Sequence, residues 1–162
     1  MNSEQQENFL RYAEQLGHDR QTLATQGKQV SSATVASIDE LRALVRPPRT
    51  QPRSSGPGTV VETRTAGRAP TLEERVHAFL YGDGELSLAE RKICQQSFPA
   101  TVQLMSEVDR TMDHGETVIG PNGPPAVWNY AKLNFYSDSF LTVKSTYFTL
   151  NVQNLVMQYT SP

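Results

Sequence analysis

The chain has 162 residues, 37% hydrophobic and 20% charged, with a net charge of −2. That is enough for one domain, or one domain with an appendage, and both fractions sit low enough to place part of the chain outside a core. The near-neutral balance points to no specific partner class, nucleic acid included, the single Cys94 excludes an internal disulfide and a cysteine-built zinc site, and no apolar run is long enough for a transmembrane helix.

Charge is uneven along the chain. Residues 1–45 carry four basic and six acidic side chains, residues 46–70 five arginines against Glu62, and residues 71–162 six basic and ten acidic. A basic stretch therefore joins two acidic ends. The opening MNSEQQENF lacks the basic and apolar regions of a secretory signal. A soluble cytoplasmic protein is expected, with export by a route lacking a cleaved signal as the alternative.

Residues 1–45 read as a helical arm. Ser3 with Gln6 suits a capping box, and Phe9, Leu16, Leu23 and Val30 recur every seven residues as a one-sided seam of coiled-coil type. The companion positions Asp19 and Gln26 are polar, and Gly27 sits inside the pattern. The expectation is one long helix weakened near 27–34, or two helices, the later one capped by Ser37 with Glu40 and stopped by Pro47 and Pro48. Residues 46–70 are a basic Pro/Gly/Ser-rich linker, with 59–63 as a short strand candidate. It has no interleaved aromatics, so it lacks the stacking groups of a single-strand nucleic-acid binder.

Residues 71–115 read as a block of three short helices. Thr71 with Glu74 and Ser87 with Glu90 are capping pairs. Pro99 suits the first turn of the third helix, whose apolar side would be Val102, Met105 and Val108.

Residues 116–162 change to strand character. After Glu116 the only charged side chains are Lys132, Asp138 and Lys144, and eight of thirteen aromatics lie between Trp128 and Tyr159. The candidate strands are 127–130, 133–136, 140–144, 147–152 and 155–159. Alternation puts Phe148, Leu150 and Val152 on an inner face and Thr149 and Asn151 on an outer polar one. The apolar pairs Leu133/Phe135, Leu141/Val143, Phe148/Leu150 and Leu155/Met157 recur at intervals of eight, seven and seven residues. The whole reads as α+β: an N-terminal helical arm, a small helical block and a C-terminal antiparallel β unit. That unit is expected as a meander or small sandwich, with a short β-solenoid, one rung per step, as the alternative.

No phosphate loop, dinucleotide fingerprint, zinc-protease motif or nucleophile elbow is present, so no cofactor is expected and a non-enzymatic role is favoured. Asp109, Asp113 and His114 form the densest polar cluster and are the candidates for a divalent cation or an acid/base pair. Trp128, Tyr130, Tyr136 and Tyr147 are the candidate aromatic binding surface. A charge-poor β unit cannot leave its edges bare. The function expected is therefore a structural or interaction component that assembles with itself or another protein subunit. Its contacts would be the C-terminal β unit and the helical seam. The alternatives are a membrane-active component using residues 140–159 as amphipathic strands, and a small enzyme or ligand binder using the Asp109 cluster.

Overall fold

A computed structural model describes residues 1–48, 68–112, 114–119, 123–143 and 147–158, with residues 118 and 119 described in backbone only. The strand candidate at 59–63, most of the basic linker, Asp113, Lys144 and Tyr159 lie outside the described residues. The chain runs α1 (Ser3–Gln15), α2 (Arg20–Gln26), β1 (Lys28–Val35), α3 (Ile38–Val45), α4 (Leu72–Tyr81), α5 (Leu88–Gln95), β2 (Ala100–Thr111), β3 (Gly115–Ile119), β4 (Ala126–Tyr136), β5 (Ser139–Val143) and β6 (Phe148–Gln158). It is an α+β protein.

The N-terminal arm is not a continuous helix, and it is not separate. Asn2, one residue before the expected cap, accepts from the Gln5 amide to start α1. Gly27 ends α2 in a left-handed conformation (φ 72°). The next eight residues, KQVSSATV, are rich in Ser and β-branched side chains, which lose freedom in a helix and suit a strand. They form β1, antiparallel to β2. The seam therefore breaks: Phe9, Leu16 and Leu23 are buried inside the chain, while Val30 lies on β1 and is 65% exposed.

Two of the expected capping boxes hold and a third holds in part. Thr71 with Glu74 and Ser87 with Glu90 form complete capping boxes, and the Ser37 hydroxyl accepts from the Glu40 amide. Glu40 itself reaches the Ala36 amide instead of that of Ser37. Arg46, read as the start of the linker, donates to the carbonyls of Phe79, Leu80 and Gly82 and so closes the C-terminal end of α4. Arg42 and Arg91 lie over the Phe79 ring, at 4.2 and 4.9 Å from its centroid.

The third helix of the block is a strand. Val102, Leu104 and Ser106 are buried while Thr101 and Gln103 are exposed, a period of two. The spacing of Val102, Met105 and Val108 fits a helix equally well, but their β-branched setting and pairing partners select β2.

The large sheet has the order β1-β2-β4-β6, and β3 pairs with β5 in a small one. The C-terminal strands are parallel, not an antiparallel meander: β2 with β4, β4 with β6, and β3 with β5. After β2 the chain alternates between the two sheets, so each circuit is one coil of a solenoid. Gln103 stands beside Ala126, Ala126 beside Phe148, and Gly115 beside Ser139, offsets of 23, 22 and 24 residues. One coil therefore spans three of the short apolar steps. Leu133 stacks beside Leu155 and Phe135 beside Met157, while Leu141 and Val143 belong to β5 in the other sheet. The expected five short strands are three: 127–130 and 133–136 are parts of β4, and 147–152 and 155–159 contribute to β6.

α1 lies across β4 and β6. One core joins Tyr12 and Leu16 of the α1 region, Leu41 and Val45 of α3, Phe79 and Leu80 of α4, Val102 and Leu104 of β2, and Val127 of β4. The segments read as arm and helical block share this core.

Candidate functional site

The sequence-derived candidates do not converge. Tyr130 is buried with Leu133 and Met112, and burial pushes its hydroxyl well above the usual tyrosine range. Trp128 is half-buried, edge-on to Tyr130 (6.2 Å between centroids) and to Phe148 (5.0 Å). Tyr136 stacks on the His114 ring at 4.2 Å. Tyr147 lines a cavity of about 620 Å³ walled by Ile38, Leu41, Val76, Leu80 and Phe98. Trp128 and Tyr130 thus share one cluster, Tyr136 and Tyr147 lie in two other surroundings, and the four form no single surface.

The polar cluster also divides. Asp109 lies on β2, not on a helix, and accepts from Asn134 Nδ2 at 2.7 Å and Lys132 Nζ at 3.4 Å. His114 pairs through Nδ1 with the Asp138 carboxylate at 2.7 and 2.8 Å. Asp113 lies outside the described residues. Among the described residues, no group of three His, Cys, Asp or Glu side chains is placed to hold a metal ion.

The sheet brings together residues that were read separately or not at all. Ser106, Asn129 and Asn151 are neighbours on β2, β4 and β6. Asn151 Nδ2 donates to Asn129 Oδ1 at 2.7 Å. Asn129 Nδ2 in turn donates to the Phe9 carbonyl of α1 at 3.1 Å and to Ser106 Oγ at 3.4 Å. His18, in the loop between α1 and α2, places Nδ1 2.8 Å from Ser106 Oγ and Nε2 2.9 Å from Ser31 Oγ on β1. A continuous polar ladder thus crosses all four strands, beneath α1 at β4 and β6 and beneath α2 at β1 and β2. Ser106, Asn129 and His18 are almost wholly buried. Their burial is tolerated because each finds partners. Burial holds the His18 pKa below its ordinary value, so the ring is neutral at pH 7.

The sequence carries the ladder only as a spacing of 22 residues between Asn129 and Asn151, which has no meaning until the strands are paired. Asn129 and Asn151 sit one coil apart, and Thr149 and Asn151 look like an outer polar face. They lie instead on the helix-covered side, where Thr149 Oγ1 donates to the Val45 carbonyl at 3.3 Å.

β6 is the outer strand of the large sheet and has no neighbour on its far side among the described residues. It is eleven residues long and carries no ionisable side chain and no proline. Leu150, Leu155 and Met157 on it are 37%, 59% and 52% exposed, and Phe140 and Val143 of β5 add further exposed apolar surface. Gln5 Nε2 of α1 donates to the Gln153 carbonyl at 2.8 Å, tying α1 to this strand.

The chain matches no protein-family model, no curated protein and no solved structure. Among the described residues no helix is long and apolar enough to cross a membrane. β5 and β6 belong to different sheets.

Proposed function

We infer that this chain is a non-enzymatic structural or interaction component that assembles through its C-terminal β unit. One observation carries this reading: β6 is a long, uncharged outer strand with exposed leucine and methionine side chains. Edges of monomeric sheets are ordinarily shortened, charged, bulged or covered. This one has the composition of a strand that receives another strand. Parallel coils favour the same conclusion, because a solenoid buries its faces only where a further layer or a cap closes its end.

The helical seam plays a different part from the one expected. Phe9, Leu16 and Leu23 are spent on the chain's own core, so the contact is assigned to the strand alone. Light scattering over a wide concentration range tests the reading. Reversible association is expected; a strict monomer at the highest soluble concentration contradicts it.

A further inference from the structure

We propose that the occupant of the β6 edge is a second copy of this chain, its own β6 pairing antiparallel about a two-fold axis at Val152, so that two four-stranded sheets become one of eight. This rests on the assembly reading above and specifies the partner.

Charge permits self-pairing. With no ionisable side chain from Phe148 to Gln158, two copies meet edge to edge without like charges opposed.

The ladder supplies direction. Each outer amide donates inward, Asn151 to Asn129 and Asn129 to Ser106. Asn151 Oδ1, the outermost acceptor, receives a long 3.4 Å bond from Gln153 Nε2 two residues along the same strand. A carboxamide oxygen has two lone pairs, so this end of the ladder can take a further donor from outside.

Symmetry then selects the register. A two-fold axis perpendicular to the sheet keeps each residue on its own face, whereas an axis along the strands turns one copy over and sets Asn151 against the wrong face. With the perpendicular axis at Val152, Gln153 of one copy stands opposite Asn151 of the other, on both sides of the axis. Two carboxamide pairs form, and the ladder runs unbroken through both molecules. Leu155 then faces Thr149 of the other copy. The Gln153 carbonyl that Gln5 holds has a second lone pair for the added strand. Pairing β6 with β1 of the next copy would instead leave an edge open at every step and build a filament; the β6–β6 pair closes.

Single-cysteine variants in a Cys94→Ser background test the axis. Val152→Cys places two thiols directly opposite, with Cα atoms about 4.5–5.5 Å apart, within disulfide reach. Asn154→Cys places them four residues apart along the strand, about 13 Å. Mild oxidation is expected to give a disulfide-linked dimer from Val152→Cys and none from Asn154→Cys, with unfolding midpoints confirming that both variants fold. Leu155→Lys, at a position more than half exposed in the single chain, is expected to weaken association about tenfold or more without loss of fold. A dimer by light scattering in which Val152→Cys fails to link, or in which Leu155→Lys associates normally, overturns this pairing and leaves the assembly reading standing. A strict monomer overturns both.

Discussion

Asn129 is the side chain on which the interior of this protein turns. It is wholly buried, and its amide group holds α1 through the Phe9 carbonyl, β2 through Ser106 and β6 through Asn151. Removing one member of a buried hydrogen-bonded set costs more than the bond itself, because the partners are left unsatisfied. Asn129→Leu is therefore expected to lower unfolding free energy by about 3 kcal/mol, and Asn151→Ala, at the half-buried end, by about 1 kcal/mol. Denaturant unfolding of both checks the gradient; equal costs would mean that the ladder does not act as described. His18 gives the ladder a pH signature. Its folded pKa is depressed and both ring nitrogens face serine hydroxyls. The unfolded chain takes up a proton as pH falls through about 6.5 while the folded chain does not. Stability is thus complete above that pH and declines from there down to the folded pKa. The affected carboxylates, Glu7, Glu14, Asp19, Glu74 and Glu90, are all shifted downward and titrate below this window. Unfolding midpoints from pH 8 to pH 5 are expected to fall in the native chain and to fall less in His18→Gln. None of this was legible residue by residue. A polar side chain that alternates with apolar ones reads as solvent-facing until the strand's neighbours are known.

At the scale of elements, local chemistry announces itself and pairing does not. Thr71, Ser87 and Ser37 mark their helices because a capping hydroxyl and a following glutamate act within one turn. β1 and β2 were hidden because Val30, Met105 and Val108 fall at spacings that a helix also satisfies. Gly27 marks the true boundary. Its carbonyl accepts from the Val108 amide at 2.7 Å, and its positive φ turns the chain from α2 into β1. A Cβ there would touch nothing within 4 Å, so Gly27→Ala carries only the backbone cost of the left-handed conformation. A loss of about 1 kcal/mol is expected by denaturant unfolding; a neutral result would mean that the turn is not held as seen. The same limit applies to strand direction. Short apolar steps of seven and eight residues suggest a meander or a rung, but only the pairing of Leu133 with Leu155 shows that three steps make one coil.

The whole molecule departs furthest from a linear reading of the chain. Charge and composition divide it into arm, linker, block and β unit, yet β1 from the first segment completes the sheet begun by β2, and one core joins residues from Tyr12 to Val127. Such partnerships depend on contacts between distant residues, which composition does not encode. What composition did reveal is the charge-poor tail, and its consequence is a β6 edge with no neighbouring strand among the described residues. Hydrogen exchange of the β6 amides, followed as protein concentration is raised, addresses that edge most directly. The expected result is protection from Thr149 to Leu155 that strengthens with concentration while β2 and β4 stay equally protected throughout. Exchange in β6 that does not change with concentration would contradict the account.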